Sequence, residues 1–585
     1  MSKRATSPAI SSSPSKRLHT AAFAPRKIAS VEAAAAVDSD PPLAKLLRAV
    51  SDGVNNPQKG ESFLRTLIRA VTDNRALWLA SAHAKKDKIP LVVLFILSPQ
   101  DYVAHDRGPR RIDFTLRNLA LIKASLAELH IPLLTISHPA RREIPEKILS
   151  ILESLSSSVL YANIEYEVDE LRCDLKLCKV ATPKGIKAAF IHDKCVVEPG
   201  VVLNKDSRSY AVYTPYQKVW LSKLNGNLSY YLEDCPKPHP NDKSVRASSQ
   251  FKALFETPVP ESLPGFTLDA ADQAKMKNVW PAGETVRMMI TLTLTDIATL
   301  PETKSRSCQL AAVDPLGPGA EISPKRSRVL VYDTERDRAD RDTTSRISPY
   351  LAAGILSERA CIRATMSLNP DGAAVKVDGG KTTGIGRWVQ EIAWRDFYTC
   401  ILAGFPRVSM GRPFLEKFTA VVWEEGNIAK WKAGQTGVPI VDAAMRCINE
   451  MGWVHNRMRM ISAMFLVKSA KDLMVDWRVG ERYFMEKLID GDLASNNGGW
   501  QWSASTGVDP CPYFRIFNPY TQSSKADPTG DFIRHYVPEL AKLRGPDLYK
   551  PCASVADKLG YPRPIVKHDE ARHRAMRRFK NPGTA

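Results

Sequence analysis

The sequence predicts an α/β domain followed by an all-helical domain, and three observations carry that prediction. The chain has 585 residues, and single hydrophobic cores rarely grow past roughly 250 to 300 residues, so two folded domains plus tails are expected. Between about 62 and 200, apolar strand runs alternate with helical periodicity, the pattern of a parallel sheet covered by helices. Beyond about 276, apolar residues recur at spacings of three and four and clear strand runs vanish.

The α/β region reads as Leu91 to Leu97 (strand), Phe114 to Leu129 (helix), Ile131 to Ile136 (strand), Glu146 to Leu155 (helix) and Val159 to Tyr161 (strand). A doubly wound domain should open with an apolar strand before Asp73-Asn74-Arg75. Glu61 to Val71 reads instead as a helix, so the first strand is expected to be distorted or missing. Residues 201–275 are polar and Pro-rich, including Cys235-Pro-Lys-Pro-His-Pro240, and predict an interdomain linker. Residues 276–575 form the helical domain and 576–585 a short tail. Residues 1–61 are rich in Ser, Pro and Ala, with Lys3, Arg4, Lys16, Arg17, Arg26 and Lys27 and no acid before Glu32, which predicts a disordered basic tail or targeting segment.

Lys and Arg total 82 against 63 Asp and Glu, for a net charge of +19. That excess exceeds what solubility requires and fits a polyanionic partner. The ten cysteines show no metal-ligand spacing and no dense disulfide framework, which points to a reducing compartment. No apolar run reaches the roughly 18 residues of a membrane span.

Eight of the eleven tryptophans lie between Trp388 and Trp502. A single Trp is as readily core filler as ligand contact, but the company these keep is unusual. In Glu391-Ile-Ala-Trp394-Arg395 the i, i+3, i+4 spacing sets a carboxyl, an indole and a guanidinium on one helical face. In Trp453-Val-His455-Asn456-Arg457-Met-Arg459-Met460, Asn456 and Met460 share a face and offer an amide and a thioether. Asp490-Gly491-Asp492-Leu-Ala-Ser-Asn496-Asn497-Gly-Gly-Trp500-Gln-Trp502 packs acids, amides, glycines and indoles together, a composition that serves neither a core helix nor a solvated loop. Thr343-Thr344-Ser345-Arg346-Ile347-Ser348 clusters hydroxyls before a helical run, where an N-cap or a phosphate fits.

Together with Thr436 to Arg446, these segments resemble, in order and spacing, the signatures of class I cyclobutane pyrimidine dimer photolyases of the photolyase/cryptochrome superfamily, of the fungal type. The resemblance covers roughly 75 to 575. It implies a Rossmann-like antenna domain, a helical FAD-binding domain, and a light-driven lyase that splits dimers in UV-damaged DNA as a monomer. Tyr332, Thr344, Ser345, Arg346, Ile347 and Ser348 match the positions that hold the FAD phosphates; Glu391, Arg459, Asp490, Gly491, Asp492 and Asn496 match others around FAD. Asn496 matches the residue facing flavin N5, where an amide favours the reduced anionic flavin. Glu391, Trp394, Asn456, Met460 and Trp502 match the dimer pocket, and Arg336, Arg395, Arg457 and Arg515 match or flank the DNA-phosphate contacts. Trp500, Trp477 and Trp423 match a chain of three indoles that carries electrons to the flavin.

The resemblance also implies a 5,10-methenyltetrahydrofolate antenna, with His105 and Glu170 at two of its contact positions, although Asp169, Ser409 and Met410 depart from the expected residues; a deazaflavin or no antenna are the alternatives. Ile290 to Pro301 and Ser469 to Lys471 read as insertions. Three extra residues turn a helix by about 300°, so Trp477 is misplaced unless a loop absorbs them. A cryptochrome-type blue-light receptor is the alternative, against which weigh Glu391, Met460, Asn496 and the lack of a long extension after about 575. The basic tail suits nuclear import and also resembles a mitochondrial presequence.

Overall fold

The structure, a computed structural model, describes residues 28–54, 62–66, 70–283, 328–368, 376–468, 474–566 and 568–583. Both expected insertions, at 290–301 and 469–471, lie outside the described residues.

Two helices, α1 (Val31–Ser39) and α2 (Pro42–Ser51), occupy part of the predicted tail and correct that reading. Ser30 caps α1 by accepting from Ala33 N, and Leu43 and Leu46 at i, i+3 bury one face of α2. The sheet comprises β1 (Ser62–Thr66), β2 (Leu91–Leu97), β3 (Leu133–Ser137), β4 (Ser157–Asn163) and β5 (Lys187–Ile191), all parallel in the order β3-β2-β1-β4-β5. The first strand is therefore present and central, pairing Phe63 with both Leu91 and Val159, with an irregularity at Ser62/Phe63. Its helical look comes from Leu64, Leu67, Ile68 and Val71 falling at i, i+3, i+4, i+7. A strand flanked on both sides gains a full ladder, and tertiary pairing overrides that local pattern. Helices α3 (Arg75–Asp87), α4 (Pro109–Glu128), α5 (Ile144–Ser154) and α6 (Val168–Ala181) cover the sheet.

The predicted linker also contains structure: α7 (Tyr213–Gly226) buries Tyr216, Trp220 and Leu224 against the helical domain. Its Trp220 Nε1 donates to Asp396 Oδ2 at 2.9 Å, a contact no composition signal announces. The helical domain includes α8 (Ser348–Ala353), α9 (Glu358–Met366), α10 (Gly384–Gly404), α11 (Pro439–Met451), α12 (Asn456–Lys468), α13 (Trp477–Lys487), α14 (Leu493–Ser503) and α15 (His568–Lys580). One large core is shared between this domain, α7 and one face of the sheet. Among the described residues no helix is long and apolar enough to cross a membrane.

Candidate functional site

Helix α10 starts where Thr383 Oγ1 accepts from Gly386 N, and it carries the predicted carboxyl, indole and guanidinium. At Gly498, an added Cβ would stand 2.1 Å from the Tyr398 ring, so only glycine lets α14 approach α10 this closely. That approach brings the acid- and amide-rich stretch against the carboxyl-bearing helix.

The trio on α10 meets three different environments. Glu391 Oε1 lies 2.9 Å from Arg336 Nη2, and the Tyr332 hydroxyl donates to the same carboxylate. Burial pushes the Glu391 carboxyl above its ordinary range despite both partners. Trp394 stacks on Tyr213 with ring centroids 3.5 Å apart and planes 6° from parallel, a platform that holds the indole flat. Arg395 is 10% exposed and bonds Glu358 Oε1 at 2.6 Å, with Nη1 3.4 Å from Asp492 Oδ2. This corrects its expected role on DNA phosphate, because a guanidinium locked between two buried carboxylates is not presented to solvent. Arg336 and Arg457 are likewise engaged, with Glu391 and with Asp337 respectively, but are less buried at 26% and 23% side-chain exposure.

The loop into α14 supplies acceptors. Asp490 Oδ2 takes Arg459 Nη2 at 2.7 Å, while its buried Oδ1 has no hydrogen-bond partner among the described residues. Asp492 caps α14 by accepting from Ser495 N and Oγ, and its Oδ1 lies 3.3 Å from Lys194 Nζ. Burial would raise the Asp492 carboxyl, but Lys194, Arg395 and the Ser495 bonds outweigh it and hold it far below the usual range. Gly491 between them passes under Arg111, where a Cβ would come within 3.2 Å of a guanidinium nitrogen. Asn496 donates through Nδ2 to Glu481 O at 2.9 Å, which fixes the amide so that Oδ1 is its acceptor end.

His455, which sequence reasoning passed over, accepts through Nδ1 from Arg457 N and lies buried against the Arg336 backbone carbonyl. Burial pushes its pKa down to about 4, so the ring is neutral with Nε2 as the donor. In the hydroxyl run, Arg328 Nη1 donates to Thr344 O, Trp388 Nε1 to Ser345 Oγ at 3.4 Å and Trp453 Nε1 to Ser348 Oγ at 3.1 Å. Arg346 adopts φ of 49°, its Nη2 2.6 Å from Asp342 Oδ1, and Ile347 is buried at the start of α8. Buried Asp490 Oδ1, without a hydrogen-bond partner among the described residues, is an acceptor that a bound polar ligand could use.

Toward the surface, exposed Asn456 points Nδ2 at Met460 Sδ, 4.0 Å away, as the shared helical face predicts. Trp502 is half-buried, and Phe514 and Arg515 are exposed, Phe514 by 57%. Of the three indoles expected in a relay, Trp500 and Trp477 are buried and Trp423 is half-buried. Trp500 rests directly on Gly480 of α13, the helix Trp477 opens. Trp431, not anticipated, lies 6.2 Å from Trp500 edge-on, and Trp423 packs at 6.0 Å against Phe579 of α15.

In the α/β domain, His105 Nε2 lies 3.0 Å from Arg141 Nη2 and 3.6 Å from Asp169, and Nδ1 lies 3.5 Å from Asp101 and 3.9 Å from Glu170. Burial opposes the imidazolium, but Asp101 and Asp169 prevail and raise the His105 pKa to about 9; burial raises Glu170 to about 7. Beside them is a cavity of about 640 Å³ lined by Phe95, Arg107, Phe114, Glu165, Lys194 and Asp492 among others.

Residues 388–581 match the family model described as the FAD binding domain of DNA photolyase, and residues 69–240 match the DNA photolyase model. The deoxyribodipyrimidine photo-lyase of Neurospora crassa is 41% identical over 527 residues, covering 87% of this chain and 79% of that protein. The enzyme of the same name from Escherichia coli is 34% identical, covering 87% and 96%. Among solved structures, a bacterial class III photolyase from Agrobacterium tumefaciens aligns with a TM-score of 0.69 at 26% identity, covering 90% of this chain and 98% of that one.

Proposed function

The chain belongs to the DNA photolyase family, and from that premise we propose that its cleft between α10, α12 and α14 holds FAD and a cyclobutane pyrimidine dimer of UV-damaged DNA, which light splits there. It is a carbon–carbon lyase, a deoxyribodipyrimidine photo-lyase. When bound, reduced FAD would supply light-driven electron-transfer chemistry for splitting the dimer.

The chain's own residues hold, orient and exclude water. Asp490 Oδ1 and Asn496 Oδ1 offer acceptors to the flavin edge, and Tyr332 with 344–348 offers groups for the phosphates. The observation that carries the reading is the orientation of Asn496. Nδ2 donates to Glu481 O, which leaves the carbonyl as the group that would accept a flavin N–H, and an amide cannot return a proton as a carboxylic acid could. The amide would stabilise the N–H that the reduced flavin carries without placing a proton source beside it. Illumination with a thiol should take the wild type to full reduction, whereas Asn496→Asp should stop one electron short; equal behaviour would remove Asn496 from the flavin.

Enzymes that act on a base take it out of the stack, photolyases among them. The lesion is received by Trp394 on its Tyr213 platform, Glu391, Asn456, Met460 and Trp502, and the phosphates by Arg336, Arg457 and exposed Arg515. Trp500, Trp477 and Trp423 carry electrons inward. The antenna proposal is methenyltetrahydrofolate at His105 and Glu170, and the protein acts as a monomer in the nucleus, with its basic N-terminal segment as the import signal; mitochondrial import of the same segment is the rival address.

A further inference from the structure

Lys194 follows β5 in the α/β domain, far in sequence from every helix of the proposed flavin cleft. Its Nζ lies 3.3 Å from Asp492 Oδ1 and 3.4 Å from Glu165 Oε2, and its side chain is 9% exposed. Glu165 and Asp492 are equally secluded, at 11% and 6%. On its other oxygen Asp492 faces Arg395, which in turn bonds Glu358. Five charges thus alternate in a row, Glu165, Lys194, Asp492, Arg395, Glu358, crossing from one domain into the other. A helix N-cap needs only the bonds to Ser495, so the second cation on Asp492 exceeds what capping α14 requires.

We propose that Lys194 is a positioning residue through which the α/β domain sets the electrostatic field at the flavin, with Asp492 as the intermediary and Glu165 as the brake on Lys194. This rests on the reading that Asp492 borders FAD. Asp492 stays ionised when Lys194 is removed, because Arg395 and the two Ser495 bonds remain. Without Lys194 the row carries one more uncompensated negative charge, which opposes forming an anionic reduced flavin. Without Glu165 the row carries one negative charge fewer, which favours it. At an effective dielectric near 20, a unit charge about 10 Å away moves an equilibrium about tenfold. For a two-electron couple that is about 30 mV.

The test is the midpoint potential of FAD in the purified holoenzyme by spectroelectrochemistry, with flavin affinity of the apoprotein and its thermal unfolding measured alongside. Lys194→Met, which keeps the aliphatic stem, should lower the potential by about 30 mV, Glu165→Gln should raise it, and Lys194→Arg should restore it. Damage to packing alone does not move two variants in opposite directions. A wild-type potential in Lys194→Met, or shifts of the same sign in both variants, overturns the proposal. Asp492→Asn separates the two levels: if it shifts the potential and Lys194→Met does not, the role of Lys194 falls and the placement of Asp492 at the flavin stands, whereas no shift in either removes both.

Discussion

Glu391 Oε1 lies 2.9 Å from Arg336 Nη2, yet burial pushes the Glu391 carboxyl above the ordinary carboxylate range. A protonated carboxyl can donate to a pyrimidine carbonyl that gains charge when an electron arrives, and an ionised one cannot. Repair yield should therefore fall as pH rises through the raised Glu391 pKa, and Glu391→Gln, a donor of the same shape, should flatten that limb. Glu391→Ala leaves the carbonyl and Arg336 without a partner, at a cost of about 1 to 3 kcal/mol. Quantum yield against pH for the three proteins, with flavin content measured in each, checks this. Equal impairment of Gln and Ala would mean that the residue acts by charge or as scaffold.

Arg395 and Arg515 should part company. Arg395 sits between Glu358 and Asp492, so Arg395→Ala takes the bonded cation from buried Glu358 and leaves Asp492 to Lys194, and it should lose bound FAD and stability by about 3 to 5 kcal/mol. Exposed Arg515 should act on DNA alone. Arg515→Ala should weaken binding to damaged and undamaged duplex alike, and make the log–log salt slope shallower by about one unit. Filter-binding across a salt series reads both, and a loss confined to damaged DNA would move Arg515 into the lesion pocket.

Trp423 packs beside Phe579 and is half-buried. Trp423→Phe should slow photoreduction of oxidised flavin while leaving repair by chemically pre-reduced enzyme unchanged. Flash photolysis and a single-turnover assay on the same preparation separate the two; equal loss would make Trp423 structural.

Asp396 is fully buried, and Val196 N, Val197 N and Trp220 Nε1 all donate to its Oδ2. Burial outweighs these bonds and pushes its pKa up to about 7, against about 3.9 unfolded. A raised acid contributes its stability fully below the unfolded value and loses it as pH rises through the folded one. The wild type should therefore lose stability between about pH 4 and pH 7, and Asp396→Asn should reduce that slope. Denaturant melts across that range test it, and an unchanged slope in the variant would assign the titration elsewhere.

Most of the helical cleft was legible because its chemistry is written in local spacing: Asn456 and Met460 do share a face, and Asp490, Asp492 and Asn496 do enter one loop and helix start. Contacts brought by distant segments were not legible. Tyr213 under Trp394 comes from the stretch read as linker and Lys194 beside Asp492 from the end of the α/β region, where no strand was read, and no spacing links them to their partners. Arg395 was assigned to DNA by its match to the family's phosphate contacts, whereas Glu358, which buries it, lies 37 residues away. The first strand was obscured by an accidental helical period, and α1 and α2 by Ser- and Ala-rich composition that conceals two short amphipathic faces.

The central claim is tested most directly by exposing a thymine-dimer oligonucleotide to the purified, reduced protein under blue light and counting restored thymines. The account predicts dimer loss in the light and none in the dark, abolished by removing FAD and restored on adding it back. Dimers that persist under illumination, with FAD bound and fully reduced, would contradict it.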